Sequence, residues 1–136
     1  MGKKFLIGVI ATLSLSTIAA AATPYDLKDN MHKLNNYMKA MQVAFIEGDK
    51  QKALQAAEAL GLESQKLLGD EAIMRNMLPK DKAHKARIAT TSAHLISDNV
   101  DIIKSSMDNV RRETAQNAYL DIQRACMRCH NLVRDW

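Results

Sequence analysis

Apolar residues recur every three or four positions over most of the chain beyond residue 24, a spacing typical of amphipathic helices. In the first such stretch they follow steps of four, three, four, three and four: Leu27, Met31, Leu34, Met38, Met41 and Phe45. Asp26 can cap the start of this helix and Gly48 can end it. The pattern predicts a first helix over about residues 25–47.

The same periodicity predicts three further helices, over about residues 49–68, 81–107 and 109–134. Their apolar stripes are Ala53, Ala57, Leu60, Ser64 and Leu67; then Ala86, Ala93, Ile96, Val100, Ile103 and Met107; then Ala115, Tyr119, Ile122, Cys126, Cys129 and Val133. Residues 69–80 read as a polar, Met-rich connection. Four amphipathic helices with short connections favour an all-α fold, an antiparallel up-down-up-down four-helix bundle.

The first 22 residues differ in composition from the rest of the chain. Two lysines precede an apolar stretch over residues 5–18, and the alanines at 20–22 then offer small side chains for cleavage. This order is typical of a secretory signal peptide. An uncleaved membrane anchor is the alternative, but the apolar stretch is short for a bilayer-spanning helix. We expect a signal peptide at 1–22 and one exported, periplasmic domain at 23–136, with no membrane attachment after cleavage.

The net charge of the chain by itself excludes few classes of protein. The chain has 19 Lys+Arg and 15 Asp+Glu, but two of the cations, Lys3 and Lys4, belong to the leader, and without them the net charge is +2. Nucleic-acid binding needs a clustered basic face, which this balance does not indicate. The sequence also has no nucleophile–base arrangement and no phosphate-binding loop, so we expect neither an enzyme nor a nucleic-acid-binding protein.

The two cysteines of the chain occur together in the motif Cys-x-x-Cys-His, formed by Cys126, Cys129 and His130. This motif is the attachment signature of c-type haem, in which the thiols bind the haem edge and the imidazole binds the iron. Positions i, i+3 and i+4 share one face of a helix, so the three side chains are expected to face one macrocycle. A redox dithiol, a disulfide or a zinc site are the alternatives. They are less favoured because no strand pattern and no second ligand pair accompany the motif.

The other face of such a haem should meet the first helix, because antiparallel packing places the start of that helix beside the end of the last one. Met31 lies on the apolar stripe at a height that matches His130, and a thioether sulfur suits haem iron. Met38 lies two turns further along, at about 10 Å. His32 is an alternative ligand but lies off the stripe, and Met31 could instead be ordinary core packing. The second axial ligand of the iron could thus be Met31 or His32, or this position could have no protein ligand.

Two segments resemble known cytochrome families. Residues 26–35 resemble the first helix of the periplasmic b-type four-helix-bundle cytochrome, whose ligands are an early Met in the first helix and a late His in the fourth. Residues 126–134 resemble class II c-type cytochromes, the cytochrome c-prime group, although Val133 replaces the usual aromatic residue. By this resemblance Met31 and His130 are the axial ligands.

The resemblance also implies a position near the haem for Arg134, which matches the proximal-side arginine of class II proteins. In that group the cytochrome c-prime proteins are five-coordinate and bind nitric oxide or carbon monoxide, whereas the Met-ligated relatives resemble electron carriers. We therefore expect a monohaem cytochrome with one covalently attached haem c that carries single electrons between periplasmic redox partners. A gas-binding protein is the alternative, and a homodimer is compatible with either.

Overall fold

The computed structural model describes residues 24–108 and 110–134, and the regular structure in these residues is helical throughout. These described residues form five α-helices: α1 (Pro24–Glu47), α2 (Lys50–Leu68), α3 (Glu71–Met77), α4 (Ala86–Asp108) and α5 (Arg112–Arg134). A 3₁₀ turn, Ala83–Lys85, leads into α4. The predicted all-α class is confirmed, while the signal peptide predicted at 1–22 lies outside the described residues.

Local sequence accounts for the sharp turn between α1 and α2. Gly48 has a φ of +74°, a left-handed conformation that a residue without Cβ adopts readily. Asp49 then caps α2, because its side chain accepts a hydrogen bond of 3.0 Å from the Lys52 amide. The predicted boundary between the first two helices is therefore confirmed, with Asp49 serving as the cap.

The segment 69–80, predicted as a connection, contains the additional helix α3, and the prediction of four helices was wrong. Asp70 caps α3 by accepting a hydrogen bond of 3.0 Å from the Ile73 amide. Met74 and Met77 are buried, and α3 packs against α4. The helix α4 accordingly begins at Ala86, five residues later than predicted, because the intervening residues form the 3₁₀ turn.

The closely packed helix pairs are α1 with α2, α2 with α4, and α4 with α5. Small residues allow the central pair to approach: a Cβ at Gly61 of α2 would meet the Val100 side chain of α4 at 3.4 Å. Gln65 of α2 also donates a hydrogen bond of 2.9 Å to the Ala93 carbonyl of α4. The helices α1 and α5 are not among the closely packed pairs of the described residues, which leaves room for a cavity between them.

Among the described residues, no helix combines the length and apolar character needed to cross a membrane.

Candidate haem site

The residues of the Cys-x-x-Cys-His motif lie on one face of α5 and line one cavity. Cys126, Cys129 and His130 share this cavity with Met31 of α1, and its volume is about 310 Å³. Further walls are apolar or weakly polar side chains: Leu34, Met38, Leu68, Ile96, Tyr119 and Met127. The structure thus brings together the four residues that the sequence predicted as thiol and axial ligands.

The cavity has an apolar interior and a polar mouth. Leu68 of α2 and Ile96 of α4 are buried and form its back wall. The mouth lies between α1 and α5, where the lining side chains are exposed and polar: Asn35, Lys39, Gln42 and Gln123. Such a cavity suits a flat, largely apolar group that carries polar substituents at one edge.

A second cavity of about 150 Å³ adjoins the first on the side of the α5 terminus. Met31, Cys129 and His130 line both cavities and so stand at the boundary between them. Met38 lines only the larger one. Of the two methionines, only Met31 lines both of the cavities that His130 lines.

Arg134, predicted near the haem by resemblance alone, lines the second cavity together with His130. Its guanidinium lies close enough to influence the ionisation of both Cys129 and His130. The end of α5 that carries these residues is tied to the start of α4, because the Lys85 Nζ donates a hydrogen bond of 2.5 Å to the Leu132 carbonyl.

Burial sets the protonation of the site. It raises the pKa of the Cys126 thiol to about 11, with a smaller contribution from the neighbouring Cys129. The Cys129 pKa is also raised by burial, against the opposing effects of a Ser92 hydrogen bond and Arg134. Burial and then Arg134 lower the pKa of His130, which favours the neutral imidazole that binds metals. Both cysteines are free thiols.

His32, the alternative ligand, is exposed on α1 and lines neither of the two cavities. The position fits the sequence argument that adjacent residues of a helix cannot share a face. The structure therefore groups Met31, and not His32, with the motif of α5.

Several lining residues were not identified from the sequence as site residues. Met74 and Leu78, in and after α3, line the second cavity, and Ser92 of α4 lines the first. Tyr119 was predicted only as part of the apolar stripe of α5; it lines the larger cavity and packs edge-on against Phe45, with ring centroids 5.9 Å apart. The cap-forming Asp70, followed by Glu71, is a local signal that could have indicated α3 from the sequence.

Within the described part of the chain, no group of three or more His, Cys, Asp or Glu side chains is arranged to hold a metal ion. A covalently attached haem makes a smaller demand on the protein, since it needs only one such side chain, here His130, for its iron. Two thiols for attachment, a neutral imidazole and a thioether from another helix fit that group. Comparisons with protein-family models, with curated proteins and with solved structures found no match.

Proposed function

We propose that this protein is a periplasmic monohaem c-type cytochrome that carries single electrons. One observation carries the proposal: a single apolar cavity is lined by both thiols and the imidazole of the Cys-x-x-Cys-His motif and by Met31 from another helix. In this proposal haem c is attached through Cys126 and Cys129, with His130 and Met31 as the axial ligands of its iron.

The bound haem would supply the one-electron chemistry, and the chain's residues would hold and tune it. The two thiols fix the group to α5, and the His130 imidazole, kept neutral by burial, offers a nitrogen lone pair. The Met31 thioether offers a soft ligand from the opposite helix, and His/Met ligation raises the haem potential. The apolar walls, including Leu68 and Ile96, limit water around the iron.

We also propose that α1, α2, α4 and α5 form an up-down-up-down bundle to which α3 is an addition. Consecutive members of this set pack against one another, and two of the three connections are tight turns. The long connection between α2 and α4 contains α3, which packs on α4. In this arrangement the start of α1 lies beside the end of α5, where the candidate haem site is.

Export is part of the proposal, because c-type haem attachment and a leader at 1–22 point to the same compartment. The partners would be other periplasmic redox proteins. We propose no enzymatic role, because this proposal assigns the two thiols and the imidazole of the cavity to haem attachment and iron ligation.

The proposal is tested by expressing the chain with its leader in a host that attaches c-type haem. We expect a covalent haem mass and, in the reduced protein, sharp low-spin bands that carbon monoxide leaves unchanged. A high-spin spectrum that shifts with carbon monoxide would indicate an open distal site and the gas-binding function instead. A chain without covalent haem would exclude both cytochrome functions and favour a dithiol or disulfide at Cys126 and Cys129.

A further inference from the structure

The cavities around the second half of α5 are lined by cations and by no carboxylate. Lys39 lines the larger cavity of the candidate haem site, and Lys28 and Arg134 line the smaller one. A third, open cavity on the outer side of α5 is lined by Arg124 and Arg128. Among the described residues that line these three cavities there is no Asp or Glu, although the chain has 15 of them.

The third cavity, which we call the outer groove, has a volume of about 830 Å³. Three of its seven lining residues are exposed and apolar: Leu120 at 41%, Met127 at 55% and Leu132 at 41%. The remaining four are polar or cationic: Gln123, Arg124, Arg128 and Asn131. An apolar strip flanked by arginines on one exposed helix face is the composition of a protein contact surface.

The outer groove is continuous with the candidate haem site. Gln123 and Met127 line both the groove and the larger cavity. Met127 also follows Cys126 directly in the chain, so the groove borders the thiol-bearing face of α5. A protein bound in the groove would therefore approach the haem edge that the cysteines hold.

The positive charge around the site exceeds what a haem would neutralise. Five cations line the three cavities, and the two propionates of one haem would carry two negative charges. Arg124 is partly compensated by its 2.6 Å ion pair with Asp121. Among the described residues no carboxylate pairs with Arg128. The surplus favours an anionic partner through electrostatic complementarity.

We propose that the outer groove is the docking surface for an acidic redox protein, with Arg128 facing its carboxylates and Leu120 and Leu132 providing the apolar contact. This inference rests on the proposed function. Two arginines beside an apolar strip suit a small, transient protein contact. A nucleic acid would require many phosphate contacts, and an anionic membrane surface is typically met by four to eight clustered cations.

The test uses the mature, haem-loaded protein and flavodoxin, an acidic protein, as the electron donor. Each event moves one electron from the reduced flavin to the ferric haem, and its second-order rate constant is measured by stopped flow. At about 100 mM salt, where charges act over about 10 Å, we expect Arg128→Glu to slow the reaction about fivefold or more. Arg112→Glu makes the same change in net charge about 24 Å away along α5 and should slow it less than about twofold.

A second variant tests the apolar part of the groove. Leu132 lines the outer groove and neither cavity of the haem site, so Leu132→Gln should leave the bound haem unaffected. We expect this variant to slow the reaction with flavodoxin several-fold and to leave oxidation by ferricyanide, a small anion, unchanged. Equal effects of Arg128→Glu and Arg112→Glu, or no effect of Leu132→Gln on flavodoxin, would overturn the proposal.

Vesicles of phosphatidylglycerol distinguish a lipid surface from a protein partner. Vesicle binding that is lost in Arg128→Glu, together with a flavodoxin reaction that this variant leaves unchanged, would assign the groove to lipid and overturn the proposal. The haem content and optical spectrum distinguish failure of the proposed function from failure of the proposed docking surface. Absence of covalent haem contradicts the proposed function, whereas an intact low-spin spectrum with no Arg128 effect contradicts only the docking surface.

Discussion

Met31 of α1 and His130 of α5 line the same two cavities, although they are 99 positions apart in the chain. The helices that carry them are not a closely packed pair in the described residues. The relationship depends on α2 and α4, whose packing holds α1 and α5 at a distance. A group bound between α1 and α5 could thus contact Met31 from α1 and His130 from α5.

Met31→Ala should open the distal side of the iron if Met31 is its ligand. We expect the loaded variant to keep its covalent haem but to become high-spin and to bind carbon monoxide, as seen in the optical spectrum. Met38→Ala is the matched control, because Met38 lines the larger cavity but not the smaller one. It should remain low-spin. A low-spin spectrum in Met31→Ala that resists carbon monoxide would remove Met31 as the ligand.

The haem-free chain should lose stability in alkali because of Cys126. Its thiol has a pKa of about 11 in the folded protein against an ordinary value of 9.0. Between these pH values the unfolded chain releases a proton that the folded chain retains, so stability falls as pH rises from about 9 to 11. The loss attributable to this group is at most about 3 kcal/mol.

Urea unfolding of the reduced, haem-free chain at several pH values measures this loss. Cys126→Ser is the control, since lysines titrate in the same range in both proteins and their contribution cancels in the difference. The free energies of unfolding of the two proteins should approach each other as pH rises through this window. Curves that stay parallel from pH 8 to about 11 would show that the Cys126 thiol is not shielded from water.

The sequence predicted well those features that depend on one helix alone. The period of the apolar residues gave the long helices, and the spacing of Cys126, Cys129 and His130 placed them on one face. To predict that Met31 lies near His130, one further assumption was needed, that the first and last helices pack antiparallel. The positions of the two residues along their helices could then be compared. The long helices and the shared face of the motif could be predicted because helix geometry is regular over many turns, while ligation by Met31 stays a prediction.

Features that depend on a short element or on the packing of several helices were missed. The seven residues of α3 are too few to display a clear period, so its two buried methionines looked like part of a loop. Ser92 lines the larger cavity because α4 packs between α2 and α5, and no pattern in its own sequence specifies this. The cations that line the three cavities likewise come from two helices, α1 and α5.

Met74→Ala tests whether α3 contributes to stability and not only to chain connection. Met74 is 1% exposed and lines the smaller cavity, so its truncation should cost about 2–4 kcal/mol in the free energy of unfolding. Ile73→Ala in the same helix is the control, because Ile73 is 45% exposed and should lose less than about 1 kcal/mol. Denaturant unfolding of both variants measures the difference, and equal losses would show that Met74 is not a core residue.

Val110 offers a stabilising substitution in the turn between α4 and α5. Its φ of +60° is left-handed, a conformation unfavourable for a β-branched residue, and its side chain is 78% exposed. The turn closes a C-terminal cap of α4, in which the Arg111 amide donates to the Ser106 carbonyl at 2.8 Å. Glycine adopts this conformation without strain, so Val110→Gly should stabilise the protein by about 0.5–1 kcal/mol.

Thermal unfolding of Val110→Gly should show a rise in Tm of about 2–6 °C for a domain of this size. Val110→Ala is the informative control, because it removes the β-branch but keeps the Cβ that disfavours positive φ. Its Tm should lie between those of the wild type and the glycine variant. A glycine variant less stable than the alanine variant would mean that the entropy of the unfolded chain outweighs relief of the left-handed strain at this turn.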